Sequence, residues 1–464
     1  MKRKRIEFRG ADYEYVNEGG WSMLLQPSPS SWKTTPVLLK IPKRSLAAQR
    51  FISGHDTFVD AWFHGKHILR PLYCISLNTT ELDQLYQSVD SVRPSKRRVI
   101  SQDGNHYPMY GSIERNLTLS SEKITVSFEL KVKCGLKSYS PFVGFNDVRN
   151  GKKDAKMKHE ISRYALMQLV KLHEFGKQNE TPWGKFERES EYDPSDLCSR
   201  DLRRVRNALK NLFHNPQNNL RICLNGRHIY GWNIASMDNL SECLSMLSST
   251  GLFLSPLDYL ANVLIHENVL ERLESLQALD AFIDVEGCEA IFGRLVEICA
   301  GQEQIAIQRI VDSSDLMKVP KQELTIIHRW VKEIDDGIFD RRTYQFGKTP
   351  KSDFLLKMLQ LTPLQAIKGN VNVNKMKKNS IVTWLKALTE NDCILYLQLW
   401  LLALGAKDAS LIVTLSLSSL SSSWGHSAYL VDIGPKPVSK ILKKISRESE
   451  IIKKASLALI STNS

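Results

Sequence analysis

Phe128-Glu129-Leu130-Lys131-Val132-Lys133-Cys134-Gly135, FELKVKCG, is the stretch around which the remaining chain is read. It closes an alternating run, Lys123–Leu130, in which every second side chain is apolar, and that period predicts a β-strand. On such a strand Glu129, Lys131 and Lys133 fall at every second position and share one face. One acid between two amines is costly to bury unless it meets something highly charged, and a polyphosphate held with a metal ion is one such partner. A solvated strand face would carry the same pattern.

The totals bound the answer without choosing it. A chain of 464 residues is long enough for two or three domains, or for one enzyme with two lobes and an insertion. With 42% hydrophobic and 24% charged residues it is globular in composition. The net charge of +13 points to an anionic partner: nucleic acid, an acidic membrane surface or a phosphorylated small molecule. Its eight cysteines are scattered with no CxxC pair, which argues against a disulfide framework and a common zinc motif and fits a reducing compartment. No zinc is expected. The opening MKRKR runs into polar sequence rather than a secretory signal; Lys2–Arg5 reads as a solvated terminus or a weak nuclear-import signal. The longest apolar run, Cys393–Leu404, is too short to span a bilayer and reads as a buried core element.

Taken in order, Tyr13–Gln26 carries Gly19-Gly20 between two extended runs, a pair that serves either a phosphate-cradling loop or a hairpin turn. Pro36–Lys43 reads as a strand, and Arg93–Arg98 as a basic loop. Lys152–Lys158 reads as a lysine-rich loop before a helix at His159–Phe175, where Arg163 and Lys171 lie two turns apart on one side. The acidic segment around Pro194 caps or positions helices, one of them Ser199–Phe213. Asn218, Asn219 and Arg221 stand at the mouth of a strand, Leu220–Leu224; amide and guanidinium groups suit phosphate oxygens and ribose hydroxyls.

From about residue 231 to 390 helical periodicity dominates, at Asp258–Leu279, Glu286–Ala300 and Gln322–Ile338. Lys348–Lys378 is basic and rich in breakers. Beyond it, strands at Leu411–Leu417 and Ala428–Ile433 flank a Ser-rich turn, Ser418–Ser427. That hairpin brings Asp408 and Asp432 near one another, as kinase chemistry needs: one acid takes the acceptor proton and the other holds Mg²⁺. Each aspartate alone is more often a strand-end cap. Lys436 and Lys440 follow, one turn apart on a closing helix.

FELKVKCG resembles the signature EIKPK followed by Cys-Gly of the inositol-pentakisphosphate 2-kinases. ESEYDPSDL (Glu189–Leu197), NPQNNLRICLNG (Asn215–Gly226), GAKDAS (Gly405–Ser410) and VDIGPKP (Val431–Pro437) resemble further segments of that family, in the same order. The resemblance implies an α+β, two-lobed inositol phosphate kinase fold. Its N-terminal lobe is 1–118, with a hinge near Ile113–Thr118, and its C-terminal lobe is 119–464, with the mainly helical insertion 231–390. It implies ATP and Mg²⁺ as cofactors, and transfer of a phosphoryl group to the 2-hydroxyl of inositol 1,3,4,5,6-pentakisphosphate, giving the hexakisphosphate, phytate.

By the same resemblance Asp408 is the base and Lys131 neutralises charge at the transferring phosphate. Gly19, Gly20, Lys40, Glu129 and Asp432 hold the nucleotide, with Asp408 and Asp432 as the Mg²⁺ ligands. Lys133, Arg163, Lys171, Asn218, Asn219, Arg221, Lys436 and Lys440 meet the inositol phosphates. Four positions depart from the family: Val132 replaces proline, Met167 histidine, Lys440 arginine and Lys444 tyrosine. A monomer in nucleus and cytoplasm, without membrane contact, is expected. The rivals are an inositol-phosphate binder without turnover, a kinase for lower inositol phosphates, and a basic nucleic-acid-binding protein. Against the last stands the dispersal of the basic residues among carboxylates, with no recognisable nucleic-acid-binding module.

Overall fold

In the computed structural model, the described residues are 13–18, 22–27, 36–42, 55–56, 58–60, 62–63, 65–94, 109–120, 124–138, 140, 142–144, 151–175, 190–231, 237–249, 255–313, 378–417 and 424–462. Gly19, Gly20, Gln322–Ile338 and most of Lys348–Lys378 lie outside them.

The first sheet contains β1 (Tyr13–Glu18), β2 (Ser22–Pro27), β3 (Val37–Pro42), β4 (Tyr73–Leu77) and β5 (Met109–Arg115), in the order β1-β2-β3-β5-β4. Every pairing is antiparallel. Met23 opposes Ile41 and Leu25 opposes Leu39, so one face is apolar. It packs on Leu85, Tyr86 and Val89 of helix α1 (Thr79–Val89), whose start is closed by a reciprocal cap between Asn78 and Glu81. Lys40 lies between Leu39 and Ile41 and therefore belongs to the opposite face. Arg93, expected in a solvated basic loop, is buried instead: it bonds Asp90 and lies over the Tyr86 ring.

The second sheet runs β10-β9-β6-β7-β8, again antiparallel throughout. Its strands are β6 (Ile124–Lys131), β7 (Leu220–Leu224), β8 (Arg227–Gly231), β9 (Ser410–Leu417) and β10 (Trp424–Val431). The signature strand β6 is central, and Val126, Phe128 and Leu130 are fully buried by it. β10 takes in Trp424–Ser427, so the Ser-rich turn is shorter than the sequence indicated. Around this sheet stand α2 (Gly151–Glu160), α3 (Arg163–Phe175), α4 (Leu202–His214), α5 (Met237–Ser249), α6 (Pro256–Glu267), α7 (Val269–Ile298), α8 (Glu303–Asp312), α9 (Lys378–Ala387), α10 (Glu390–Ala406) and α11 (Lys440–Thr462).

The apolar run Cys393–Leu404 forms the middle of α10 and is almost wholly buried, with Trp400 at its centre. Trp62 and Phe63, early in the chain, join this second core rather than the first; the Trp62 indole donates to the Arg272 carbonyl. Among the described residues no helix is long and apolar enough to cross a membrane.

Local capping moves several boundaries. Lys152–Lys158 is helical, in α2, and the helix expected from His159 begins at Arg163 because the Ser162 hydroxyl accepts from Ala165 N–H. α4 begins at Leu202 because Asp201 caps it. The helix expected over Asp258–Leu279 breaks at Asn268, whose φ of 55° is left-handed. α7 kinks at Asp284, also at positive φ. Lys436 precedes the closing helix, which starts at Lys440.

Candidate active site

Three neighbouring strands end together. Lys131, last in β6, faces Ser410, first in β9, and Ser410 faces Val431, last in β10. That register puts Asp408, two residues before β9, and Asp432, one residue after β10, at the same sheet end as Lys131. Glu129, one pleat back, is held on both oxygens: Arg221 of β7 at 2.7 Å and the Ser410 hydroxyl at 3.0 Å.

β6 stops at Lys131, and Lys133 lies beyond it with φ 61°. Lys133 therefore does not continue the strand face that alternation assigned to it. The turn is fixed from below, where Val132 is fully buried and its carbonyl accepts from the Tyr192 hydroxyl at 2.7 Å. Gly135 packs so tightly on Ser195 that a Cβ there would collide with it. The acidic segment is structural, as read from sequence: Asp193 caps the short turn Pro194–Leu197, and Asp196 pairs with Arg204. Its first residue, Glu189, lies outside the described residues.

Asp408 is set by the end of α10, its N–H donating to the Gly405 carbonyl at 2.9 Å. Its carboxylate takes two ammonium groups, Lys133 at 3.5 Å on Oδ1 and Lys436 at 2.7 Å on Oδ2. Lys436 is itself placed by α10, through its N–H on the Leu401 carbonyl at 3.0 Å. The surrounding protein mass would raise the Asp408 carboxyl; Lys133 and Lys436, joined by Lys444, outweigh it and hold the carboxyl far below the usual range. Burial pushes the Lys131 ammonium down, against the pull of Glu129, with Lys133 lowering it further and Asp408 and Asp432 opposing.

The second ring of expected residues is partly drawn in. Lys171 of α3 reaches Gln217 at 3.2 Å, and burial with Lys133 nearby lowers its ammonium to about 8. Asn219 is buried, its side-chain amide donating to the Tyr164 hydroxyl at 3.3 Å, and its backbone carbonyl accepts Lys131 N–H at 2.9 Å. Asn218 is exposed beside it. Lys440 opens α11, with its N–H on Pro437 O at 2.8 Å.

Arg163 is turned to Glu448 of α11 at 2.6 Å. Glu448 also takes Lys158, which in turn binds Asp284 and Glu286. From the first sheet, Lys40 pairs with Glu114 at 3.5 Å. Burial would lower its ammonium, and Glu114, Asp432 and Asp56 together raise it above the ordinary value.

Sequence reasoning missed Gln217, Glu448 and Lys158. Gln217 stands inside the quoted NPQNNLR segment and carries the left-handed φ of 43° that makes the turn. Glu448 and Lys158 show no local signal, since each lies on a helix among other charges. Lys444 had been marked only as a departure; it is one of the charges acting on Asp408, and burial beside Arg163 lowers its ammonium to about 8.

A sequence model of the inositol-pentakisphosphate 2-kinase family matches residues 15–450, almost the full chain. The chain belongs to that family. It is similar to the inositol-pentakisphosphate 2-kinase of Oryza sativa, 24% identical over 70% of this chain and 59% of the relative. It also matches those of Arabidopsis thaliana, at 27% over 57% of each chain, and Danio rerio, at 28% over 47% of this chain and 44% of the relative. The chain thus matches less than two thirds of the length of these relatives. Four of the quoted segments meet at the sheet end that carries Asp408.

Proposed function

We propose that the protein transfers the γ-phosphoryl group of ATP to the 2-hydroxyl of inositol 1,3,4,5,6-pentakisphosphate, giving the hexakisphosphate. The observation that carries this reading is the meeting of Asp408, Lys131, Lys133, Lys436 and Asp432 at one sheet end. Two sheets with separate cores support a two-lobed kinase arrangement with the connection near residue 118 and ATP between the lobes. Phosphoryl transfer asks a protein for position and charge rather than covalent work.

In this reading Asp408 accepts the hydroxyl proton while the acceptor oxygen bonds to phosphorus and ADP departs. Lys131 offsets charge on the moving group. Asp432 and Asp408 would hold Mg²⁺, which supplies charge neutralisation between nucleotide phosphates. The donor set fits that ion: Mg²⁺ takes one or two carboxylates with phosphate oxygens and water. Lys133, Lys171 and Lys436 meet the substrate phosphates, with Lys444 behind them.

Incubation with ATP, Mg²⁺ and inositol pentakisphosphate, followed by anion-exchange separation, tests the reading against Asp408→Ala. Hexakisphosphate from the parent alone supports it. Binding without product turns the assignment to an inositol-phosphate binder.

A further inference from the structure

We propose that Asp408 has a second role, as the internal anion that a substrate phosphate replaces: in the free protein its carboxylate holds Lys133 and Lys436, and an incoming phosphate takes both lysines from it. The proposal rests on reading this site as one for inositol polyphosphates. Its basis is geometric. Lys133 arrives from the turn after β6 and Lys436 from the segment after β10, one on each oxygen of the same carboxylate, at 3.5 and 2.7 Å. Other acids close by have different partners: Glu129 has Arg221 and Ser410, and Glu448 has Arg163 and Lys158.

Asp408 is 56% exposed, whereas Lys133 and Lys436 are only 22% and 24% exposed, so the pair is open to exchange from the carboxylate side. A phosphate monoester brings about twice the charge of a carboxylate and three acceptor oxygens, so it is the stronger partner for two converging ammonium groups. Before substrate arrives, the carboxylate keeps two like charges together, one on each of its oxygens. After exchange it is released from both lysines.

Calorimetric titration with inositol hexakisphosphate as the probe tests this on the full chain, Asp408→Asn, Lys436→Met and the double variant. Asp408→Asn is expected to tighten binding by about fivefold, the scale of a partly exposed ion pair. In the Lys436→Met background the same change is expected to give less than about twofold, because the closer of the two competing pairs has been removed and only the 3.5 Å pair with Lys133 is left. Simple repulsion between carboxylate and ligand predicts the opposite, an equal or larger gain once Lys436 no longer shields Asp408, and that result would overturn the proposal. Lys133→Met provides the same cycle if Lys436→Met does not fold. The readout needs no turnover. Binding without product by the parent would remove the kinase reading and leave this proposal to the cycle; no binding by the parent would remove both.

Discussion

The carboxylate of Asp408 shows how much a single position depends on three separate segments. Its backbone is fixed by the last turn of α10, one lysine comes from the turn after β6 and the other from beyond β10. If it is the base, Asp408→Ala lowers kcat by about 10²–10⁴-fold, the usual share of general-base catalysis, measured as hexakisphosphate formed per minute. Lys131→Met should lower kcat by about 10²-fold or more and change KM for the inositol substrate little, because the charge it offsets grows in the transition state.

Lys171 and Lys444 add a pH dependence. Burial lowers both ammoniums to about 8, so both are charged below that pH and neutral above it. Affinity for inositol hexakisphosphate is therefore expected to fall as pH rises through about 8, well before an ordinary lysine titrates near 10.5. Calorimetry at pH 7 and pH 9 measures it. Lys171→Met should flatten the profile.

At the scale of elements, the site depends on one close approach. Gly405, in the last turn of α10, lies against the backbone of Gly434, and a Cβ at 405 would run into the Gly434 carbonyl. Gly405→Ala should therefore push the segment carrying Asp432 and Lys436 away from Asp408. The expected result is a loss of about 1–3 kcal/mol in denaturant unfolding, the cost of overpacking, together with weakened hexakisphosphate binding.

α11 is joined to α2, α3 and α7 by a buried charge network: Glu448 takes Arg163 and Lys158, and Lys158 takes Asp284 and Glu286. Burial would raise the Glu448 carboxyl, but Arg163 and Lys158 outweigh burial and depress it. A depressed carboxyl contributes its stability in full above its ordinary value of 4.5 and loses it as pH falls below that. Breaking such a buried pair costs about 3 kcal/mol. The melting temperature of Glu448→Gln is thus expected to lie below the parent's at pH 7, and the gap should narrow as pH falls from 4.5. Thermal melts across that range check it.

At the scale of the molecule, two sheets have two separate cores, and among the described residues the first is much the smaller. Hydrogen exchange should therefore open β2 and β3 at lower free energy than β6 and β9. Under the proposed function the lysines that meet inositol hexakisphosphate are mostly on the second sheet and its helices, so the ligand should protect β6 and β9 ends more than β2.

Much of this was legible in the sequence where the cause is local. The alternation over Lys123–Leu130 placed β6, because a two-residue period with one apolar face has one way to bury itself. The apolar run Cys393–Leu404 indicated a core element, since no polar face was left for solvent. The quoted segments gave Asp408, Asp432, Lys131 and Lys436 as a set. What the sequence by itself determined, then, was the order of elements and the chemical kinds of group available.

The tertiary structure decided which groups meet. Lys133 leaves the strand face because its φ turns positive after a buried Val132, and strand period carries no information about a dihedral two residues past the strand. The helix expected from His159 divides at a serine cap that competes with continuous helical hydrogen bonding. Arg163 is claimed by Glu448, 285 residues away in sequence, and neither helix could declare that partner by its own pattern. Local hydrophobic period is set by neighbours along the chain, whereas the pairing of charges is set by which ends the fold brings together.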